Sequence, residues 1–324
     1  MALLSNTAKD RVARSASKHG SNKNTSARAV RPRPVHDDSA DARQSRRTRI
    51  LVRVGLALFA VYSIAPVWWL IVNSTKNTRD LLLTNGLWFA DWNLGKNLAD
   101  IFSYENGIFL RWTANSVLYA GVGAAVGTLV ALAAGYGLAR FSFPGRSLSM
   151  GLVVASFLVP YSMLTLPLYL LFANMGLIDS PWAVLIPTFI NPFSVYLAKV
   201  YIEGAIPPEL LEAARIDGAG ELRIFFMIVL RMLTTAGATI FLLAFVSAWN
   251  GFFLPITMLQ SPENWNMTLG LYNWLRQSQV SNASIYDFNT LVITGSLLSV
   301  IPLAIVMIAL QRFWRTGVSL GALK

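Results

Sequence analysis

The 324-residue chain contains no cysteine, and its only two histidines, His19 and His36, stand near the N-terminus. A disulfide framework and a thiolate metal site are therefore excluded. The rest of the chain also lacks an imidazole for a metal centre or for a Ser-His-Asp arrangement. No G-x-x-x-x-G-K-[S/T] segment occurs, so the chain has no phosphate-binding loop of its own. We therefore expect a protein that is not an enzyme and that has no cofactor or metal.

Charged residues are also scarce, at 13%, while hydrophobic residues make up 54% of the chain. Because a soluble domain usually carries about 25% charged residues, much of this chain is expected to lie in a membrane. The net charge of +11 is concentrated in residues 1–53, which hold 13 Lys and Arg against 4 Asp and Glu. Residues 1–49 show no apolar period and are predicted to form a disordered basic tail in the cytoplasm. A solvated tail is favoured over a nucleic-acid-binding arm, and no nucleic-acid partner is expected.

Six hydrophobic blocks follow the tail, each close to the ~20 residues that a helix needs to cross the hydrocarbon core. Because backbone groups cannot stay unpaired in lipid, the blocks are predicted to be transmembrane helices. Positive charge collects in the loops on the N-terminal side, which predicts an all-α membrane protein with both termini in the cytoplasm. Within a membrane domain over 50–324, the predicted spans are 53–73, 113–138, 149–172, 181–202, 234–258 and 289–311.

The predicted cytoplasmic loop between spans four and five, residues 203–232, contains the signals of a short helix. Pro207 and Pro208 can open a helix, because N–H groups of the first turn have no intrahelical partner. Gly218 stops it about ten residues later, where a left-handed or closely approached backbone is expected. So short a helix is marginal in water and needs a docking surface. Its adjacent alanines suit close packing in a groove of another protein.

Polar residues beside helix breakers indicate a possible translocation path through the spans. Pro160 and Pro167 should bend span three and free carbonyl groups, which makes Tyr161 and Thr165 candidates for the wall of the path. A kink needed only for packing is the alternative.

Three further positions bear on the path. Asn191 lies mid-span, where an amide must find a partner on another helix or on a ligand. Trp249 and Asn250, near the end of span five, can stack on and hydrogen-bond to a polyol, or can anchor the helix end.

In span two, Gly123 and Gly127 form a G-x-x-x-G pair that predicts close helix packing.

The two long external loops are rich in tryptophan. Anchoring at the membrane–water interface is favoured over docking of a partner, because tryptophan is enriched at that interface. The tryptophans concerned are Trp88, Trp92, Trp112, Trp265 and Trp274.

The loop helix resembles the "EAA" cytoplasmic loop of bacterial ABC-importer permeases, in which E-A-A is followed a few residues later by D-G. The matching residues are Glu212, Ala213, Ala214, Asp217 and Gly218. Three other segments resemble carbohydrate-importer permeases, in particular the maltose-type second permease subunit: the turn at 136–146, Trp249-Asn250, and the ending at 311–324. Two residues depart from the family pattern, since Arg231 stands where proline is usual and Gly251 where an acidic residue is usual.

The resemblance implies a multi-pass permease subunit of a bacterial inner membrane that moves a sugar, an oligosaccharide or a related polyol by alternating access. It implies a heterodimer with a second permease, two separate ATP-binding subunits and an extracytoplasmic solute-binding protein. The E-A-A and D-G residues are expected to couple the permease to the ATPase. Gly317, Ser319 and Gly321 near the C-terminus are expected to contact the ATPase pair.

Two alternatives remain at this stage. A secondary transporter driven by an ion gradient should carry intramembrane carboxylates, and the six predicted spans contain no Asp or Glu. An importer permease for a non-sugar solute, such as glycerol phosphate, is the other alternative, and the residues do not identify the sugar.

Overall fold

The computed structural model describes residues 38–280 and 286–321. Two compact units divide the chain, Met1–Leu58 and Phe59–Lys324. Over the described residues the chain forms helices, turns and bends, and no strand occurs among them. The predicted all-helical fold is confirmed for this part of the chain, and every helix after α1 belongs to the second unit.

In the first half of the chain the helices are α1 (Asp38–Ser74), α2 (Thr78–Leu83), α3 (Leu94–Ser103), α4 (Ile108–Arg140), α5 (Arg146–Ala155), α6 (Tyr161–Asn174), α7 (Pro181–Thr188) and α8 (Pro192–Ala205). In the second half they are α9 (Pro208–Ile216), α10 (Glu221–Ile224), α11 (Leu230–Met232), α12 (Thr234–Trp249), α13 (Phe253–Met258), α14 (Met267–Val280) and α15 (Phe288–Gly321). A π-helical stretch, Phe225–Val229, joins α10 to α11.

Among residues 38–280 and 286–321, four helical segments are long and apolar enough to cross a membrane, and two bent helix pairs raise the number to six if each pair is one span. The four helices are Thr48–Ser74, Ile108–Arg140, Pro181–Ala205 and Phe288–Phe313. The bent pairs are Arg146–Leu158 with Tyr161–Asn174, and Glu221–Met232 with Thr234–Trp249. The chain therefore has the helices of a multi-pass membrane protein.

Helix α1 begins earlier than the sequence predicts. Disorder was expected through residue 49, but α1 starts at Asp38. The Ala, Arg and Gln residues between Asp38 and Arg49 are adequate helix formers. Residues 1–37, the remainder of the predicted tail, lie outside the described residues.

Two predicted spans are broken at identifiable residues. The third bends by 105° between Leu158 and Tyr161, and Pro160 occupies the break with φ −59° and ψ 130°. The predicted effect of proline is confirmed there, because proline disfavours a helical conformation at the residue before it. The fifth, expected to run from 234 to 258, ends its first helix at Trp249 and resumes at Phe253.

The segment leading into α12 bends by 83° without a proline. Arg231 lies next to this bend, and the π-helical stretch Phe225–Val229 precedes it. A π-helical turn changes the direction and phase of a helix by widening its hydrogen-bond ladder. Arg231, at the position where importer permeases usually have proline, therefore lies beside a π-helical stretch that redirects the helix.

Helix α4 packs closely against α7 and the turn after it. A Cβ atom added to Gly127 would lie 2.9 Å from the Thr188 carbonyl oxygen. One added to Gly123 would meet the Thr188 side chain. The close packing predicted from the G-x-x-x-G pair is confirmed, because only glycine leaves room for the neighbouring backbone.

An aromatic cluster lies at the opposite end of α4 from α9. Trp112 and Trp274 are 1% and 0% exposed, and their rings pack 4.9 Å apart. The prediction that these two tryptophans anchor the chain at the membrane interface is wrong. The Trp112 ring can be buried because residue 270 is glycine, and any side chain at that position would overlap the ring. Trp88 and Trp92 are each 68% exposed.

Candidate functional site

Helix α9 carries the residues of the E-A-A and D-G pattern. Pro207 is its N-cap, with φ −63° and ψ 137°, and Pro208 is its first helical residue. The helix runs for nine residues, to Ile216. The short helix predicted from the two prolines and Gly218 is thus confirmed.

A Schellman motif ends α9. The Gly218 N–H donates to the Arg215 carbonyl at 3.0 Å, and the Ala219 N–H donates to the Ala214 carbonyl at 3.0 Å. Gly218 has φ +79°, the left-handed region that a Cβ atom disfavours. No atom lies within 4 Å of the position that a Cβ would take. Glycine is therefore required here for its backbone conformation and not for space.

The two faces of α9 differ in exposure. Leu211, 1% exposed, belongs to an apolar cluster with residues of α8 and α10, and Ala214 packs partly buried against the same cluster. The opposite face carries Glu212 and Ala213, both exposed, and Asp217 is exposed just beyond the last turn. One face thus fixes the helix to the protein and the other is available to a partner.

Two large apolar side chains beside this face are exposed. Ile216 is 85% exposed and Leu222, on α10, is 77% exposed. Such side chains are costly in water, and a cluster of them marks an interaction surface. The sequence analysis did not single them out. The signal was present, since Ile216 lies between charged residues and off the buried face of the helix.

Glu221, the first residue of α10, joins α9 to α4. The Arg215 Nε donates to Glu221 Oε1 at 2.7 Å, and the Tyr136 hydroxyl donates to Glu221 Oε2 at 2.7 Å. The hydrogen bond to Glu221 raises the pKa of the Arg215 guanidinium above its ordinary value. Sequence analysis could not find this contact, because Tyr136 and Glu221 lie 85 residues apart.

Two arginines in the turn at 136–146 make specific contacts. Arg140 Nη2 donates to the Ile202 carbonyl at 2.8 Å and also to the Ile206 carbonyl. Arg146 Nε donates to the Leu138 carbonyl at 2.8 Å. Both arginines thus donate to carbonyls in or directly beside the last turns of α8 and α4, an arrangement that is favourable at helix C-termini.

The candidate path residues lie on different helices. Tyr161 is half exposed at the start of α6, and Thr165, 7% exposed, donates to the Tyr161 carbonyl at 3.5 Å. Asn191 is the N-cap of α8, where its Oδ1 accepts from the Ser194 N–H at 3.0 Å. The mid-span amide predicted to need a partner therefore has one on its own helix.

The last two path candidates end α12. Trp249 is 4% exposed and its ring stacks on Phe245 at 5.7 Å. Asn250 is exposed, and its Nδ2 donates to the Val246 carbonyl at 3.0 Å. Among the described residues, no side-chain hydrogen bond or ring contact joins Trp249 or Asn250 to the other three path candidates.

Helix α15 continues through Gly317, Ser319 and Gly321. The side chains beyond Phe313 lie outside the described residues, as do residues 322–324. The Phe313 carbonyl accepts from the Thr235 hydroxyl at 3.1 Å, which ties α15 to the start of α12.

On the side of the molecule away from α9, Asp179 joins the loop before α7 to the segment after α13. Its Oδ1 accepts from the Gln260 and Ser261 N–H groups at 2.9 Å each, and its Oδ2 accepts from the Ser261 hydroxyl. Burial acts to raise the pKa of Asp179, but the hydrogen bonds from Ser261 and Gln260 outweigh it and lower that pKa to about 2. A carboxylate therefore holds the two loops together.

Side chains of α4 hold the same segment by its backbone. Donors on α4 reach four successive carbonyl groups, at 262 to 265. They are Trp112 Nε1 to Pro262 at 2.8 Å, Asn115 Nδ2 to Glu263 at 2.7 Å and to Trp265 at 2.9 Å, and Tyr119 Oη to Asn264 at 2.9 Å. We call residues 259–266 the pinned segment.

Within residues 38–280 and 286–321, no group of three His, Cys, Asp or Glu side chains is placed to hold a metal ion.

Comparison with known proteins gives a consistent result. The family described as "Binding-protein-dependent transport system inner membrane component" matches residues 123–319. The arabinooligosaccharides transport system permease protein AraQ of Halalkalibacterium halodurans is 30% identical over 277 residues, covering 85% of this chain and 96% of the relative. The lactose transport system permease protein LacG of Rhizobium radiobacter is 30% identical over 272 residues, covering 83% of this chain and 94% of the relative.

A solved structure shares the fold. It is described as a bacterial ABC transporter involved in the import of the acidic polysaccharide alginate, and the matching chain superposes with a TM-score of 0.72 at 24% identity. The match covers 83% of this chain and 97% of that chain.

Proposed function

The chain belongs to the family of inner membrane components of binding-protein-dependent transport systems, and from this we propose that it forms the translocation path for a sugar or oligosaccharide. It is a permease subunit of an ABC importer. The observation that carries the mechanism is α9: a short helix fixed on one face by Leu211 and presenting Glu212 and Ala213 on the other. The sugar class is supported by the names of the relatives, which import arabinooligosaccharides and lactose.

The proposed topology has six spans with both termini in the cytoplasm. Counting each bent helix pair as one span gives this number. The distribution of Lys and Arg supports the orientation, because cytoplasmic loops carry the excess of positive charge. In this arrangement α9 faces the cytoplasm, and the pinned segment lies on the opposite side.

The proposed ATPase contact consists of Glu212, Ala213, Ala214, Asp217 and Gly218. Ala214 and Gly218 act through the Schellman motif, which sets the direction in which α9 ends. Glu212 and Ala213 face outward and meet the partner. Ile216 and Leu222 extend the contact, because burying both side chains in an ATPase groove removes their apolar surface from water.

We propose that the C-terminal end of α15 forms a second contact with the ATPase pair, through Gly317, Ser319 and Gly321. The helix is long enough to leave the membrane before it ends at Gly321, because each residue adds about 1.5 Å. A helix that projects from the membrane on the cytoplasmic side is placed to sense closure of the ATPase pair.

The proposed substrate path includes Tyr161, Thr165, Asn191, Trp249 and Asn250. Tyr161 and Asn250 are exposed in the chain taken alone and are available to a solute or to a partner permease. Trp249 stacks on Phe245 and must leave this stack to reach a sugar ring. Alternating access provides such a change, since a transporter has at least two packings of its helices.

The importer is proposed to contain a second permease, two ATP-binding subunits and an extracytoplasmic solute-binding protein. ATP closes the ATPase pair, α9 moves with it, and the membrane helices rock between outward- and inward-open states. ATP hydrolysis takes place in the separate subunits. A lack of intramembrane carboxylates speaks against the alternative of an ion-driven carrier.

Reconstitution of the complete complex in liposomes tests the proposal. We expect uptake of an oligosaccharide to require both ATP and the binding protein, and to be insensitive to ionophores. Uptake that collapses with an ion gradient and ignores ATP would refute it. A ligand screen of the binding protein, with glycerol phosphate included beside arabino- and galacto-oligosaccharides, identifies the solute class.

A further inference from the structure

The docking segment, residues 206–221, is tied to α4 at both of its ends. At its start, Arg140 donates to the Ile206 carbonyl, directly before Pro207. At its end, Tyr136 donates to Glu221 Oε2 at 2.7 Å. Tyr136 and Arg140 are four residues apart on α4, so their side chains lie on one face, one turn apart. A single turn of one membrane helix therefore holds both ends of the segment that contains α9.

The contact at Glu221 is directional and holds the two side chains in a fixed geometry. Tyr136 is 4% exposed, and its ring packs 5.8 Å from the Phe225 ring and 5.5 Å from the Phe141 ring. Its hydroxyl therefore has a fixed direction. Glu221 is fixed from the other side by Arg215, whose Nε lies 2.7 Å from Oε1. Hydrogen bonds to a charged group are short, directional and roughly twice as strong as neutral ones.

The contact at Arg140 has the same character. One guanidinium nitrogen donates to the carbonyls of both Ile202 and Ile206. The Ile202 carbonyl lies in the last turn of α8 and also accepts from the Ile206 N–H at 3.2 Å, and Ile206 is the C-cap of that helix. The arginine therefore holds the last turn of α8 and the beginning of the docking segment to the same turn of α4.

Apolar contacts alone do not provide this connection. Leu211 and Ala214 pack into the cluster beneath α9, but contacts between aliphatic side chains are non-directional and allow one surface to shift over another. Polar contacts at the two ends fix the orientation of α9 relative to α4 as well as its distance.

We propose that Tyr136, Arg140 and Glu221 form a two-point clamp that makes the docking helix α9 and the membrane helix α4 move as one body. The inference rests on the proposed function, in which the ATPase moves α9. Helix α4 packs on α7 through Gly123 and Gly127, so a displacement of the clamp reaches the centre of the membrane domain. The three side chains are positioning residues, and none of them needs to touch ATP or sugar.

Spin labels measure the clamp directly in the full-length permease in lipid nanodiscs. The chain has no cysteine, so labels attach only to the introduced Glu209→Cys on α9 and Ala133→Cys on α4. We expect a narrow distance distribution in the parent protein and a broad one in Y136F, E221Q and R140K. Matched controls are Y201F on α8, E203Q in the Lys199 ion pair, and R223K on α10, all of which should keep the narrow distribution.

Coupling is then measured in the reconstituted complex as sugar transported per ATP hydrolysed. We expect Y136F and R140K to retain the ATPase subunits but to lower this ratio by about tenfold, the loss expected for one charged hydrogen bond. The Y136F/E221Q double variant should be no worse than the more affected single variant, because both changes act on the contact between Tyr136 and Glu221.

Parent-like distance distributions and coupling ratios in both Y136F and R140K would overturn the proposal. So would equal broadening in E203Q or R223K, which would indicate general loosening of the cytoplasmic end. Failure of the proposed function has a different signature, because the parent complex itself would then lack ATP-dependent uptake. The label distances need neither ATPase nor sugar and report on the clamp in that case as well.

Discussion

Replacing Gly218 by valine tests whether the turn that ends α9 determines coupling. Gly218 has φ +79°, and no atom lies within 4 Å of the position of a new Cβ. The substitution therefore causes no clash with another residue, and its whole cost is conformational. Holding a non-glycine residue in the left-handed region costs about 1–3 kcal/mol, and a β-branched residue belongs at the upper end of that range.

Each 1.4 kcal/mol corresponds to about a tenfold change in an equilibrium. We therefore expect the equilibrium ratio of the native turn to other conformations of this loop to fall about ten- to a hundredfold in the Gly218→Val permease. The two hydrogen bonds of the Schellman motif are then lost, and Glu212 and Asp217 no longer present the same surface to a partner.

Gly220 provides a matched control two residues away. It has φ −71° and ψ 157°, which any residue adopts, and it too has no atom within 4 Å of a new Cβ. Both variants should insert and express alike, because the site is exposed and outside the spans. Capture of the ATPase on affinity-tagged permease, and ATP-dependent uptake, should fall at least about tenfold in Gly218→Val and stay near the parent level in Gly220→Val. Equal behaviour of the two variants would refute the argument from backbone conformation, and recovery in Gly218→Asn would support it, since asparagine tolerates the left-handed region.

Further predictions concern packing, pH and the two chain ends. Gly127→Ala should destabilise the permease by about 1–3 kcal/mol in thermal unfolding, because the new Cβ would overlap the Thr188 carbonyl, whereas Gly121→Ala on the same helix has open space and should not. The pKa of Asp179 is lowered to about 2 in the folded protein, below its usual value of about 3.9. The contribution of the Asp179 carboxylate to the free energy of unfolding should therefore be fully present when the pH is above the usual pKa. It should be lost as the pH falls through the pKa of the folded protein. Thermal unfolding in detergent should show this acid-labile component in the parent and lack it in Asp179→Asn, and identical pH profiles would contradict the assignment. Truncation after Trp314 should leave the complex assembled but change its ATPase activity, and unchanged activity would argue for a passive C-terminal end. Deletion of 2–37 should leave substrate-stimulated ATP hydrolysis intact, and its loss would reveal a regulatory role for the tail.

Local signals in the sequence predicted local structure well. Pro207, Pro208 and Gly218 act through their own backbone restrictions, so the bounds of α9 followed from residue type alone. Pro160 broke the third span for the same reason, and Gly123 with Gly127 predicted a close helix contact. For the prolines and Gly218 the physical cause lies within a few residues of its effect, whereas Gly123 and Gly127 predicted a close contact but not that Thr188 would make it.

Long-range contacts and burial could not be predicted in the same way. Nothing near Tyr136 indicates a partner 85 residues away, and nothing near Trp112 shows that Gly270 leaves space for its ring. Trp249 was a candidate for sugar stacking from its residue type, but its exposure depends on Phe245 and on helices elsewhere in the chain. Such facts arise from tertiary packing, which a single sequence does not contain in readable form.

Helix α4 holds the pinned segment through the main chain of that segment. Trp112, Asn115 and Tyr119 all donate to carbonyl groups, and a carbonyl group is the same whatever side chain accompanies it. Substitutions at exposed positions such as Glu263 therefore leave the path of the backbone intact. This part of the surface can therefore change its chemical character while the scaffold that supports it stays as it is.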